Sequence, residues 1–287
     1  MKPPYITDDF LKRFIDSALF EDVGDGDHSS LATIPERAQN KAKLLIKDDG
    51  IIAGVELAKH IFNSVDKKIK IDIYKEDGQP IKFGDIAFTV AGSARTILLV
   101  ERLVLNCMQR MSAISTRTQK FVKLIAGTKA QLLDTRKTTP NFRLLEKWAV
   151  LTGGGKNHRM GLFDMIMLKD NHIDMAGGIL PAINRTKEYL RANNKKLQIE
   201  IETRNLSEVQ EVLSAGGIDI IMLDNMDVKT MIEAVRLING KYKTEASGGV
   251  TEETIRGIAE CGVDYISVGA LTHAVKSLDL SLKATAE

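Results

Sequence analysis

Little in this sequence suits crosslinking, metal cages or membranes. Its 287 residues include only two cysteines, Cys107 and Cys261, which lack metal-ligand spacing. Both read as small buried hydrophobes in a reducing cytoplasm, and the N-terminal MKPPYITDD has no apolar signal core. No window approaches the ~18 uninterrupted apolar residues that a membrane span needs. An excess of charge of one sign is also missing. The 40 Lys and Arg against 38 Asp and Glu leave +2, so bulk attraction to nucleic acid or membrane has no basis and any anion recognition must be local. At 44% hydrophobic the chain can still bury a full core, as one large domain or two ordinary ones.

What is present is a phrase that recurs three times in the second half. FDMIML (163–168) runs into Lys169, IDIIML (218–223) into Asp224, and VDYISV (263–268) into Gly269. An Asp followed by four mostly apolar residues fits a short strand buried on both faces, as in a parallel sheet covered by helices. The carboxyl ends of such strands are where ligands bind, so a lysine, a carboxylate and a bare backbone delivered there point to a site assembled by a barrel.

Residues from about 5 to 125 have a different rhythm. A helix is expected around Asp8 to Phe20, then alternating runs at 41–46, 68–74 and 86–90 with Gly-containing turns, and a helix over 54–65. These predict a half-exposed antiparallel sheet. From Thr96 to Ile125 dense helical spacing predicts one long helix or a pair, with Ser112 to Thr116 as the break. From Ala130 onward strands and helices alternate, with strand ends near Asp134, Leu168, Glu202, Leu223, Ser247 and Val268, giving a barrel or partial barrel. The last stretch, 278–287, is short and amphipathic and suits packing back on the first domain.

Collected after those strand ends are Arg136 and Lys137, Lys169 with Asp170 and Asn171, Glu202, Asp224 with Asn225, then Ser247, Gly248 and Gly249, and Gly269. The glycines of the last two strands sit where phosphate commonly binds in barrels, through their backbone N–H groups and a helix beginning near Thr251. Glu252 and Glu253 in that first turn oppose an anion. GGGKNHRMG (153–161) fails the Walker A pattern, yet it offers flexible backbone with His158 and Arg159 as donors; a solvated loop is the bland alternative. Arg143, Glu146 and Lys147 read as a solvated helix face. Arg136, Arg159 and Lys169 are the better ligand candidates, because guanidinium forks grip carboxylates in bidentate fashion. Glu202 and Asp224 suit ribose hydroxyls or a Mg²⁺-bound diphosphate. Lys169 also suits an ion pair with Asp170 or Glu202.

DTRKTTPNFRLLEKWAVLTGGGKNHRMGLFDMIMLKDNH (134–172) resembles the signature of the quinolinate phosphoribosyltransferase, or carboxylating nicotinate-nucleotide pyrophosphorylase, family. The resemblance continues through EDVGDGDHSS (21–30), ERLVLNCMQRMSAISTRT (101–118), IEIETRNL (199–206), IMLDNM (221–226), EASGGV (245–250) and DYISVGALTHAVKSLDLSL (264–282). It implies an N-terminal open α/β sandwich domain over 1–115, on which a tail from 275–287 packs, and an incomplete seven-stranded (β/α) barrel over 116–274. It also implies a homodimer or a multiple of it, and conversion of quinolinate and phosphoribosyl pyrophosphate to nicotinate mononucleotide, pyrophosphate and CO2 with Mg²⁺, in NAD biosynthesis. By resemblance, Arg136, His158 and Arg159 hold the quinolinate carboxylates, with Arg102 from the neighbouring subunit. Lys137 and Lys169 line the substrate and diphosphate sites, Glu202 and Asp224 take ribose hydroxyls and metal, and Ser247, Gly248, Gly249, Gly269 and His273 take the 5′-phosphate. Asn141 departs from the glycine that many members carry in this loop.

Three rival readings have their own signatures. A Schiff-base aldolase would use Lys169 as nucleophile. An accessory protein of the molybdate-transport type, a paralogue by resemblance, diverges around KDNH, which is intact here. A binding-only phosphosugar sensor has no reason to keep Arg136, Lys137, Arg159 and Lys169 together.

Overall fold

The elements of the computed structural model, which describes residues 2–285, begin with α1 (Asp8–Val23), α2 (His28–Thr33), β1 (Gln39–Ile46), β2 (Gly50–Ile51) and α3 (Val55–Val65). Then come β3 (Lys70–Ile73), β4 (Pro80–Ile81), β5 (Ile86–Ser93), α4 (Ala94–Leu124), β6 (Gln131–Leu133), α5 (Arg143–Thr152) and β7 (Ile166–Leu168). Alternation follows through α6 (Asp170–Ala176), α7 (Ile179–Ala192), β8 (Ile199–Thr203), α8 (Leu206–Ala215), β9 (Ile220–Asp224) and α9 (Val228–Ile238). The chain closes with β10 (Lys243–Ser247), α10 (Ile255–Glu260), β11 (Tyr265–Ser267), α11 (Ala270–His273) and β12 (Leu280–Ala284). No helix among the described residues is long and apolar enough to cross a membrane.

Two compact units divide the chain. The first takes the residues up to Gln119, Thr138–Gly154 and those from Leu271 on; the second takes Lys120–Lys137 and Gly155–Ala270. Helix α4 runs without interruption past residues 115 and 116, and the sequence reading has no counterpart to the placement of 138–154 in the first unit.

In the first unit a four-stranded antiparallel sheet has the order β12-β1-β5-β3. Strand alternation buries Ala42, Leu44 and Ile46 on one face and leaves Lys43 and Leu45 between them more exposed. Helix α1 starts because Thr7 accepts the Phe10 N–H at 3.1 Å, with Asp8 and Asp9 against the positive end of the helix. Helix α3 lacks a local cap, and Asp77, 22 residues on, supplies one by accepting the Val55 N–H at 2.8 Å.

Of the two expectations for this stretch, one long helix is realised, with no break at Ser112 to Thr116. Those hydroxyls serve lateral contacts instead: Ser112 Oγ accepts the Ala53 N–H at 2.9 Å, Ser115 donates to the Ala149 carbonyl, and Thr116 Oγ1 accepts the Ile51 N–H at 2.9 Å. A solvated face for Glu146 and Lys147 is overturned, since both are fully buried. Glu146 is held by Arg110, at 2.7 Å and 2.9 Å, and by the hydroxyl and N–H of Thr139. At Asn141 φ is +61°, a left-handed conformation natural to glycine and tolerated by asparagine, which accounts for the departure at this position.

The second unit is a parallel six-stranded sheet of order β6-β11-β10-β9-β8-β7. Six strands are paired where seven were expected, and the seventh place is a single parallel bridge from Lys156 to Leu133 on the outer side of β6. The three recurring aspartates lie at the amino ends of their strands and take backbone donors there. Asp219 accepts the Ile199 N–H at 2.7 Å, Asp264 the Thr244 N–H at 3.0 Å, and Asp164 the N–H groups of Met160 and Gly161. Each fixes where a neighbouring segment enters, and so the register.

The Arg110–Glu146 pair gives a direct test. Arg110→Met leaves a buried carboxylate without its cation, and we expect a loss of about 2–4 kcal/mol in urea unfolding, largely recovered by adding Glu146→Leu. A loss under about 0.5 kcal/mol would mean the pair carries no weight.

Candidate functional site

Parallel pairing puts every carboxyl end of the second unit's strands on one edge. Ser247 at the end of β10 lies in register with Asp224 at the end of β9, and Glu202 on β8 with Met222 on β9. Lys169 follows β7, half exposed, with its Nζ 3.7 Å from Glu202 Oε2. Burial lifts the Glu202 carboxyl above its ordinary range, the charge of Asp224 adds to this, and Lys169 opposes it. The alternative of a Lys169–Glu202 contact is therefore realised. It sets Lys169 apart from the desolvated amine that a Schiff-base nucleophile requires.

The end of β6 organises the glycine-rich segment. Asp134, fully buried, accepts the His158 N–H at 2.9 Å and Asn157 Nδ2 at 2.7 Å, so the end of GGGKNHR is pinned and is not a solvated loop. His158 Nδ1 accepts the Arg159 N–H at 2.7 Å, which leaves the ring proton on Nε2, directed to Glu200 at 2.8 Å. Glu245 lies 3.5 Å from the same Nε2. These three side chains are close enough for a metal ion, but a metal at Nε2 needs a lone pair there and a proton on Nδ1, where the Arg159 N–H already points. Burial pushes the Glu245 carboxyl up to about 8 and the neighbouring Glu200 adds to this, which favours its protonated form.

Arg159 is buried above this cluster and donates to the Met165 carbonyl at 3.4 Å. Burial lowers its hold on the proton, and the nearby Arg136 guanidinium lowers it further. Two guanidinium groups in such proximity favour an anionic ligand. Lys137, one residue on, is exposed.

After β10 the chain turns through Gly248 and Gly249, with φ of +90° and +56°. A helix starting at Thr251 is not observed. Residues 251–254 form a turn closed by Thr251 and Thr254, and α10 starts only at Ile255 with six residues, so the glycine N–H groups, not a helix terminus, are what this edge offers an anion. Gly269 lies two residues beyond the end of β11, immediately before α11.

Arg136, Lys137, His158, Arg159, Lys169, Glu202, Asp224, Ser247, Gly248, Gly249 and Gly269 thus all belong to the second unit, while Arg102, exposed on α4, and His273, exposed at the end of α11, belong to the first. Sequence reasoning gave no role to Asp134, Glu200 or Glu245, and it collected Asn225 beside Asp224 without assigning it one. The alternating I-E-I-E of β8 is the one signal that could have marked Glu200, since period 2 puts it on the same face as Glu202.

Models of the quinolinate phosphoribosyl transferase N-terminal and C-terminal domains match residues 27–112 and 114–283. The chain is 49% identical to the chloroplastic carboxylating nicotinate-nucleotide pyrophosphorylase of Arabidopsis thaliana, over all of this chain and 86% of that one. It is 40% identical to the probable carboxylating nicotinate-nucleotide pyrophosphorylase of Bacillus subtilis, over 96% and 93% of the two chains. Among solved structures, NadC from Streptococcus pyogenes superposes with a TM-score of 0.90 at 38% identity, covering 99% of this chain and 98% of that one.

The acid cluster predicts a pH dependence. The folded pKa of Glu245 lies above its ordinary 4.5, so its stabilising contribution is complete below about 4.5 and is lost as pH rises through about 8. Urea midpoints should fall between pH 5 and 8.5, and Glu245→Gln should flatten that slope. An unchanged slope in the variant would mean that Glu245 is already ionised in the folded state.

Proposed function

The chain belongs to the quinolinate phosphoribosyltransferase family, and on that premise we propose that it transfers the phosphoribosyl group of phosphoribosyl pyrophosphate to quinolinate with loss of CO2, giving nicotinate mononucleotide and pyrophosphate for NAD biosynthesis. The observation that supports this most is the order of groups along the sheet. From β11 and β10 through β9 and β8 to β7 the edge offers glycine N–H groups, then two carboxylates, then Lys169. That is the order of 5′-phosphate, ribose hydroxyls and diphosphate in the donor.

In this reading Ser247, Gly248, Gly249 and Gly269 take the 5′-phosphate, Glu202 and Asp224 the ribose, and Lys137 and Lys169 line the quinolinate and diphosphate sites. Arg136 and Arg159 grip the two carboxylates of quinolinate. His158, expected to bind a carboxylate as well, has both ring nitrogens engaged within the protein, Nδ1 with the Arg159 backbone N–H and Nε2 with Glu200. Arg102 and His273 keep their assignments to quinolinate and 5′-phosphate on the strength of the resemblance alone. Glu202 and Asp224 also fit Mg²⁺, which binds through one or two carboxylates together with substrate phosphates. Glu202 is raised partly by the charge of Asp224, so the pair carries negative charge that a cation would relieve. Bound there, Mg²⁺ would neutralise charge on the departing diphosphate.

The chain's own contribution is electrostatic. As the C1′ bond to diphosphate loosens, the sugar gains positive character, which the neighbouring carboxylates favour, and the lysines receive the leaving oxygens. The pyridine nitrogen closes the bond to C1′ and becomes cationic. It then draws the electron pair of the C2–carboxylate bond as CO2 departs, and a proton takes the carboxylate's place. No covalent nucleophile is needed. Both cysteines are buried and free, consistent with a reducing compartment such as the cytoplasm, and burial pushes the Cys107 thiol up to about 12.

Release of labelled CO2 from carboxyl-labelled quinolinate should require both phosphoribosyl pyrophosphate and Mg²⁺ and match nicotinate mononucleotide in amount. Arg136→Ala and Arg159→Ala should each lower kcat/KM by an amount equivalent to about 2–4 kcal/mol; near-normal turnover in both would sink the carboxylate assignment. A homodimer that shares Arg102 between subunits should regain activity when inactive Arg102→Ala and Arg136→Ala proteins exchange subunits. No recovery despite demonstrated exchange would count against sharing.

A further inference from the structure

Between the carboxylate half and the phosphate half of this edge stands one side chain with no role so far. Asn225 follows Asp224 directly and has φ of +53°, in the left-handed region. Its Nδ2 donates to Asp224 Oδ2 at 2.6 Å, and since a carboxylate can only accept, the amide must present its nitrogen on that side. Its backbone N–H donates to the Ser247 carbonyl at 2.9 Å, extending the β9–β10 ladder by one bond beyond the strands. On its remaining side the amide lies against Gly248. A Cβ at position 248 would collide with Asn225 Oδ1 and Cγ, so the glycine is required by this contact as well as by its own φ.

We infer that Asn225 is a positioning residue for phosphoribosyl pyrophosphate: its amide holds the Asp224 carboxylate toward the ribose and its body sets the Gly248–Gly249 turn for the 5′-phosphate. This rests on the reading of the site given above and adds a residue to it. A carboxylate free to rotate about χ2 offers its oxygens in many directions; one oxygen tied to the neighbouring amide leaves the other in a fixed place for a hydroxyl. The same amide fills the space over Gly248, so the turn's N–H groups are held without substrate.

The competing role is that of an ordinary turn residue, chosen because asparagine tolerates positive φ. Glycine separates the two, since it satisfies the backbone and lacks the amide. Asn225→Gly and Asn225→Asp are compared with the wild-type protein by calorimetric titration with phosphoribosyl pyrophosphate and Mg²⁺, and separately with quinolinate. Thermal unfolding of each is recorded alongside.

Positioning predicts that Asn225→Gly keeps its unfolding temperature within a few degrees and its Kd for quinolinate within about twofold, while its Kd for phosphoribosyl pyrophosphate rises about tenfold or more, as for loss of a hydrogen bond to a charged group. Asn225→Asp, which sets a second carboxylate against Asp224, should lose more than Asn225→Gly. The inference is overturned if Asn225→Gly binds phosphoribosyl pyrophosphate as the wild type does, or if both ligands weaken equally. Should Asn225→Gly not fold, a folded Asn225→Asp with selective loss supports the inference and one with unchanged binding overturns it. Wild-type protein that does not bind phosphoribosyl pyrophosphate overturns the parent reading and this inference together, whereas wild-type binding with an indifferent Asn225→Gly overturns this inference alone.

Discussion

The constraint on which the second unit depends is the crowding of carboxyl groups in its parallel sheet and at its edge. Asp134, Glu200, Glu202 and Glu245 are all buried, and Asp224 stands partly buried beside them. Two carboxylates about 4 Å apart repel by roughly 4 kcal/mol at an effective dielectric near 20, enough to decide protonation states. Each acid here is settled by a different means. Asp134 accepts from the His158 N–H and the Asn157 amide, one oxygen of Glu200 meets the His158 ring, and burial raises the Glu245 carboxyl toward its neutral form. Glu202 and Asp224 have one cation at 3.7 Å and one amide at 2.6 Å, and these two lie at the strand ends where a ligand arrives.

Stability and chemistry are divided between the ends of the same strands. At the amino ends Asp219 and Asp264 take backbone N–H groups of neighbouring strands and lock the parallel register. Because side chains alternate faces, a one-residue slip would turn Glu202 toward the covering helices and Ile201 inward. The aspartates at one edge therefore determine whether the carboxylates and lysine at the other edge face a ligand at all.

Much of this was legible in the sequence because the buried strands are short, apolar and bounded by charge. The expected ends at Leu168 and Ser247 coincide with the observed ones, and those at Asp134, Glu202, Leu223 and Val268 lie one residue away. What was not legible depends on partners distant in sequence. Glu146 and Lys147 look like a solvated face until Arg110 and Thr139 are brought to Glu146, and the hydroxyls of Ser112 and Thr116 look like a helix break until Ala53 and Ile51 use them. Glu200 and Glu245 carry the commonest surface side chain, and nothing local marks them as buried. His158 was readable as a donor by type. Its internal engagement follows from Glu200, 42 residues away.

A sheet of parallel strands also explains why the order of chemical groups in space differs from their order in the chain. Lys169 comes before Glu202, Asp224, Ser247 and Gly269 along the sequence, whereas β6, with Arg136 and Lys137 just beyond it, lies next to β11 at the far edge. Right-handed crossovers carry each strand from β7 to β11 to the next place in one direction, until β11 pairs with β6, which precedes them all in the chain. The cations therefore fall at both margins of the edge, and the carboxylates and bare glycines fall between them. A donor with phosphate groups at both ends and hydroxyls in the middle meets glycine N–H groups at one end, Lys169 at the other and hydrogen-bond acceptors at its centre, which leaves Arg136 beyond β6 for the carboxylates of the second substrate. That pattern comes from topology before any single side chain is adjusted.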